Sequence, residues 1–121
     1  MIKHIHVTGV HVSDQERALD FYTNKLGFEK RADISAGDYR WIEVAPPGAE
    51  TALVLEPGQG TVGTFTSVVF ATDDMQATYD ELHSRGVRFT QEPTKQDWGG
   101  IQAQLVDQDG NTFVLVQRTG G

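Results

Sequence analysis

The sequence contains no cysteine among its 121 residues. Without thiols it has no disulfide framework, no thiolate nucleophile and no cysteine-based zinc site. Basic residues are also scarce, because ten Lys and Arg stand against 17 Asp and Glu, which gives a formal net charge of −7. Nucleic-acid backbones are bound through clustered Lys and Arg, so we expect no nucleic-acid partner.

Long apolar runs are absent as well. No stretch approaches the roughly 20 apolar residues of a membrane-spanning helix, and the first residues, MIKHIHV, lack the basic-then-apolar layout of a signal peptide. A chain with 38% hydrophobic and 22% charged residues is typical of a globular protein with a modest core. We therefore expect a cytoplasmic protein without a membrane partner.

The sequence does contain an internal repeat. Residues 10–28 and 69–87 each run from a short apolar strand pattern into an aspartate, then a helical pattern, and then a glycine. The aspartates are Asp14 and Asp73, the glycines are Gly27 and Gly86, and both pairs are 59 residues apart. A fixed period of this kind predicts two copies of one structural unit.

Each predicted helix has recognisable ends. Acidic residues favour helix N-termini, Ser13 with Glu16 fits a capping box, and glycine suits a left-handed C-cap. Three extended segments follow each helix, separated by Gly-, Pro- and Asn-rich turns. The sequence therefore predicts an α+β duplication in one domain, 1–121, with module 1 at 1–57, a linker at 58–63 and module 2 at 64–121.

The stretches VSDQERALDFYTNKLGFE and DQDGNTFVLVQ resemble the vicinal oxygen chelate superfamily, which includes glyoxalase I, extradiol dioxygenases, fosfomycin-resistance enzymes and bleomycin-binding proteins. The resemblance covers essentially the whole chain. It implies two βαβββ modules that form a cupped, barrel-like mixed sheet, the vicinal oxygen chelate fold. Both metalloenzymes and metal-free binders use this fold, so it leaves the function open.

The resemblance also implies where a metal would be held, namely by His or Glu on the first and fourth strand of each module. The matching positions here are Val7, Ser67 and Val114, with a fourth at or beside Leu55. Hydrocarbon side chains cannot ligate a metal, and a serine hydroxyl is a poor donor. We therefore expect no metal and no other cofactor, and we predict that Val7, Ser67 and Val114 line a ligand cavity instead.

Four further side chains are candidates for contacting a ligand. His11 shares the strand face of Val7, although a surface position is the alternative. Glu56 is either a solvated strand-end carboxylate or a contact for a cationic group. Trp41 is either core filler or a stacking platform. Trp98 lies in a polar, glycine-bounded loop, where we expect a ligand or dimer contact.

Two histidines near the N-terminus offer an alternative metal site. His4 and His6 alternate onto the strand face opposite Val7, so a set of His6, Glu43 and Glu56 would require a bulge or a register shift. The more ordinary interpretation is that both are hydrogen-bonded strand histidines.

Together these features predict a metal-free binder of a small apolar or aromatic molecule, with no catalytic residues. The alternative is an enzyme. It would be either a metal-dependent lyase or dioxygenase with non-standard ligands, or a metal-free catalyst with Glu56 or His11 as general base. We also expect a homodimer, because one module's sheet is completed only against another module and relatives often pair modules within or between chains.

Overall fold

The computed structural model describes residues 1–58 and 61–118. The first half contains, in order, β1 (Val7–Val12), α1 (Gln15–Asp20), a π-helical turn (Phe21–Lys25), β2 (Glu29–Ala36), β3 (Tyr39–Ala45) and β4 (Ala52–Pro57). The second half contains β5 (Phe65–Ala71), α2 (Met75–Ser84), β6 (Arg88–Lys95), β7 (Ile101–Val106) and β8 (Thr112–Gln117). The order of one strand, one helix and three strands occurs twice, which confirms the predicted α+β duplication.

The chain folds as two compact units, Met1–Val62 and Gly63–Gly121. Each has a four-stranded sheet, with strand order β1-β4-β3-β2 in the first and β5-β8-β7-β6 in the second. The outer strands β1 and β5 run parallel to their neighbours, and the other pairs are antiparallel. Residues 59–60 of the predicted linker and 119–121 of predicted module 2 lie outside the described residues, and the single-domain boundaries stay a prediction.

The helix ends follow the predicted chemistry with one correction. Asp14, not Ser13, caps α1, because its carboxylate accepts from the N–H groups of Glu16 and Arg17 at 2.9 and 3.1 Å. The predicted Ser13 capping box is therefore wrong. In α2 the cap is Asp74, the residue after the Asp73 of the repeat, since Asp74 has the extended backbone of an N-cap and its carboxylate accepts from the Ala77 N–H at 3.0 Å.

The glycines that follow the helices behave as predicted. Gly27 has φ 77° and Gly86 has φ 89°, which is the left-handed region that glycine enters without a steric penalty. Both glycines let the chain turn from the end of a helical segment into the next strand.

In the first unit the helix covers one face of the sheet. The strand residues that face the helix are buried, and they are Val10, Val12, Ile42, Val44, Leu53 and Leu55. The Gln15 amide anchors α1 by donating to the carbonyl oxygens of Arg40 and Leu55, each at 2.8 Å. Ala18, Phe21 and Tyr22 complete this core.

In the second unit α2 packs in the same way. Tyr79 makes an edge contact with Phe89 of β6, with ring centres 4.7 Å apart, and the Met75 N–H donates to the Gln117 side chain at 2.6 Å. On this side Ala103, Leu105, Phe113 and Leu115 are buried. We call the opposite, helix-free side of each sheet its open face. Within residues 1–58 and 61–118, neither helix is long and apolar enough to cross a membrane.

Arg40 ties the β2–β3 hairpin to α1. Its guanidinium donates to both carboxylate oxygens of Asp33, at 2.8 and 2.7 Å, and also to Glu16. The Arg40 hydrogen bonds lower the pKa of Asp33 to about 2, with Lys30 adding a smaller effect, and Asp33 in turn raises the pKa of Arg40. These charges lie on the helix side, away from the open face.

Candidate functional site

The open face of the first sheet is set by its register. Gly9 of β1 pairs with Val54 of β4, and Val54 pairs with Glu43 of β3. One step further along, His11 pairs with Glu56. Because strand side chains alternate between faces, these residues lie on the side opposite the buried Val10 and Leu55 side chains.

Glu56 lies on this open face, and the neighbouring Leu55 does not. Leu55 is fully buried on the helix side. A Cβ at Gly9 would lie only 2.7 Å from Glu56 Oε2, so the glycine leaves room for the carboxylate to cross β1. The same oxygen is 3.6 Å from His11 Nε2. His11 and Glu56 are therefore neighbours. The parallel pairing of β1 with β4 brings them together, and this pairing is not evident from the sequence.

Trp41 is half-buried, and its orientation is fixed by a neighbour on the same strand. Its indole Nε1–H donates to Glu43 Oε2 at 2.7 Å, and its ring centre is 6.3 Å from that of Tyr39. The indole thus has a polar partner without being fully enclosed. This arrangement leaves part of the ring free for contact.

The open face of the second sheet has an equivalent register but different chemistry. Val114 of β8 pairs with Val69 of β5 and with Gln104 of β7. Val114 is 8% exposed. Since Gly9 pairs with Val54 in the first unit as Val69 pairs with Val114 in the second, Val54 is the counterpart of Val114. The fourth position that the sequence placed at or beside Leu55 is therefore Val54 by topology.

Ser67 lies in a bulge of β5. Phe65 pairs with Thr112 and Val69 with Val114, so three residues of β5 stand opposite one residue of β8. Ser67 has φ 62° and is the one non-glycine residue with positive φ in the described part of the chain. Val69, and not Ser67, stands beside Val114.

Trp98 lies in the loop between β6 and β7 and is 54% exposed. Its Cζ3 and Cη2 atoms are 1.8 and 2.2 Å from the place where a Cβ of Gly100 would be. The Gly100 position alternates with Ile101 and so points to the same side as Gln102. The Trp98 ring lies against Gly100, the residue directly before β7.

Among residues 1–58 and 61–118, no group of three or more His, Asp or Glu side chains is placed to hold a metal ion. The strand placement predicted for His4 and His6 is wrong, because β1 begins at Val7. His4 Nδ1 instead lies 3.9 Å from Glu50 Oε2. The four positions that match ligands of metal-dependent relatives are three valines and Ser67, and they do not fit a metal.

A sequence model of the Glyoxalase/Bleomycin resistance protein/Dioxygenase superfamily matches residues 3–115. The chain belongs to this superfamily. YetH of Bacillus subtilis (strain 168) is 42% identical over 119 residues, covering 95% of this chain and 98% of YetH.

Solved structures from this superfamily match both units. A member from Sphaerobacter thermophilus DSM 20745 aligns with a TM-score of 0.92 and 39% identity, covering 97% of this chain and 98% of that one. TnmS3, an antibiotic binding protein from Streptomyces sp. CB03234, aligns with a TM-score of 0.89 and 39% identity over 98% of each chain. These matches confirm the predicted vicinal oxygen chelate fold, while the roles of individual residues stay predictions.

Sequence reasoning missed the amide side chains of the second open face. Gln102 and Gln104 alternate with buried Ala103 and Leu105 along β7. That alternation was readable from the sequence as two polar positions on one strand face. Amide side chains carry no charge and form no known motif here, so the sequence does not mark them as functional.

Proposed function

We propose that this chain is a metal-free binding protein for a small apolar or aromatic molecule. The observation that carries the proposal is the identity of the four positions matched to metal ligands: Val7, Val54, Ser67 and Val114. Three are hydrocarbon, and the fourth is a serine in a bulge. An open face with apolar residues at its centre and a few polar groups at its margins is typical of a ligand site.

The similarity to TnmS3 supports a binding role. That protein is described as antibiotic binding, and it shares 39% identity with this chain over nearly all of both. In our proposal Trp41 supplies an aromatic contact to a ligand on the first open face, and Trp98 does so on the second. On the first open face His11 and Glu56 supply polar contacts that orient the ligand.

A metal-free catalyst is the second candidate, and one observation favours it. His11 and Glu56 lie 3.6 Å apart on an open face, with Gly9 leaving space beside them. A carboxylate or imidazole in such a place has the chemistry of a general base. The metal-dependent lyase or dioxygenase alternative needs donors beyond those described, and a stoichiometric transition metal after purification without chelators would favour it.

We also propose a cytoplasmic homodimer. Large apolar side chains are exposed on the strands, including Ile34 and Phe65, and a second copy would cover such residues. Light scattering at micromolar concentration should give about twice the 13.3 kDa chain mass. A mass equal to one chain would reject the dimer and leave the binding proposal untouched.

A thermal-shift screen of small aromatic and apolar compounds tests the binding proposal. A ligand present at 100 times its dissociation constant should stabilise the fold by about 2.7 kcal/mol. The Trp98→Ala variant should weaken binding of each hit by about 0.5–1.5 kcal/mol while folding normally. A screen in which no compound raises the melting temperature would reject a binding function.

A further inference from the structure

We infer that the second sheet carries a hydrogen-bonding subsite, built from the side-chain amides of Gln91, Gln102 and Gln104, which takes the oxygen-bearing edge of a neutral planar ligand. We call these three residues the amide patch. The inference rests on the proposed binding function and adds the chemical class of the ligand. It also assigns a role to three residues outside the predicted site.

The register places the amide patch beside an apolar strip. Gln104 pairs with Val114, and Gln102 pairs with Val116. On the other side of β8, Val69 stands beside Val114. Since paired residues share a face, aliphatic side chains of β5 and β8 and amides of β7 form one continuous surface.

The amides are only partly used within the unit. Gln91 pairs with Gln104 on the edge strand β6, and the Gln102 Nε2–H donates to Gln91 Oε1 at 3.1 Å. That bond fixes the direction of both groups, leaving the Gln91 NH2 and the Gln102 oxygen available. The Gln104 side chain has no hydrogen-bond partner among the described residues. All three side chains are half-buried, so a ligand that covers them must replace hydrogen bonds to water.

Trp98 closes one end of this surface. Its ring lies over Gly100, two residues before Gln102 and four before Gln104 along the same strand face. A planar molecule lying on Val114 and Val116 would meet the indole at its end and the amides along its edge. Carbonyl, hydroxyl and amide groups on the ligand could accept hydrogen bonds from the glutamine NH2 groups, and hydroxyl and amide groups could also donate to the glutamine oxygens.

The surroundings of the amide patch disfavour a charged group on the ligand. The partners of Val114 and Val116 in the register are Gln104, Gln102, Val69 and Ala71, none of which is ionisable. A cation covering this surface would lose hydration without a countercharge. The subsite therefore prefers a neutral group, in contrast to the open face of the first sheet with its Glu43 and Glu56 carboxylates.

Three probes that share one ring system test this assignment: 2-naphthamide, naphthalene and the 2-naphthylmethylammonium cation. Each is titrated into the 15N-labelled protein, following the side-chain amide resonances and the two indole N–H resonances. We expect 2-naphthamide to shift the amide-patch signals and the Trp98 indole signal. It should bind about tenfold more tightly than naphthalene. Naphthalene would cover the glutamine amides and displace their water without offering a hydrogen bond in return, which is penalised.

Two variants of one residue make the test specific. Gln104→Leu should abolish the preference for 2-naphthamide over naphthalene. Gln104→Glu, which keeps the shape, should weaken 2-naphthamide and favour the cation. Gln76→Leu is the matched control, since Gln76 is exposed on α2 and bonds to Asp80 there.

Equal affinity for 2-naphthamide and naphthalene in the unaltered protein would overturn the inference. So would shifts confined to the Trp41 indole, which reports the first sheet, or no shift with any probe. Binding at Trp41 alone would leave the proposed binding function standing. Failure of the whole thermal-shift screen would remove that function as well, so the two failures are distinguishable.

Discussion

Replacing Gly100 with alanine tests whether the Trp98 ring rests on the second open face. The new methyl group would lie 1.8 Å from Trp98 Cζ3 and 2.7 Å from the Gln117 carbonyl oxygen. The indole would have to leave its position, and the backbone at Gly100 would have to move away from that of Gln117 on β8. Overpacking of this kind costs about 1–3 kcal/mol, and we expect Gly100→Ala to lie in that range.

The Trp98→Ala variant gives the second side of a double-mutant cycle. The side chain is 54% exposed, so about half of a typical aromatic area of roughly 200 Å² is covered. At about 25 cal/mol per Å² its loss costs at most about 2.5 kcal/mol. With the indole gone, Gly100→Ala should cost about 1–2 kcal/mol less than in the natural sequence, since only the Gln117 contact remains.

Urea unfolding followed by far-ultraviolet circular dichroism measures all four free energies. Gly9→Ala is the control, because its methyl group would meet only the end of the flexible Glu56 side chain, and we expect a change within about 0.5 kcal/mol. If the Gly100 and Trp98 changes are additive, the ring does not rest on Gly100. The amide patch would then lack its aromatic end.

Three more predictions concern stability. Arg40 holds the pKa of Asp33 at about 2, below its ordinary 3.8, so the stability from this pair is present above pH 3.8 and lost as pH falls through about 2. The acid-unfolding curve of Asp33→Asn should lack the loss of stability that accompanies protonation of Asp33. Ser67→Gly should raise the unfolding free energy by about 0.5–1 kcal/mol in a urea titration, because glycine accepts φ 62° freely; a decrease would contradict the strain argument. Asn111→Ala should cost about 2–4 kcal/mol by the same measurement, because its buried amide serves two backbone N–H groups and Asp107; a loss under 1 kcal/mol would contradict this.

The parts of the fold that sequence predicted correctly depend on local backbone chemistry. Gly27 and Gly86 end helical segments because only glycine enters the left-handed region freely, and this is visible one residue at a time. The choice between Ser13 and Asp14 as cap was not visible, since both residues can accept the bond. The backbone dihedral angles decide it, and here Asp14 is the residue with φ −146°.

The parts of the site that sequence did not predict depend on pairing between strands. Counting back from an aspartate does not give the pairing register, and Val69 rather than Ser67 stands beside Val114, as Gly9 rather than Val7 stands beside Val54. The bulge in β5 depends on Thr66, whose hydroxyl donates to the Thr112 carbonyl at 2.8 Å and accepts from the Val68 N–H at 3.1 Å. Residue spacing in the sequence does not predict where side-chain hydrogen bonds of this kind replace the regular bonds between strands.

The two units have kept the same frame while their open faces have diverged. The rung of Gly9, Val54 and Glu43 in the first unit corresponds to that of Val69, Val114 and Gln104 in the second. A central valine is common to both, but a carboxylate on one side becomes a neutral amide, and a glycine becomes a valine. The first face thus gives space and negative charge, and the second gives apolar surface and neutral hydrogen bonds. A cationic ligand and a neutral oxygen-bearing ligand would therefore prefer different faces, although the strands that carry these faces are topologically equivalent.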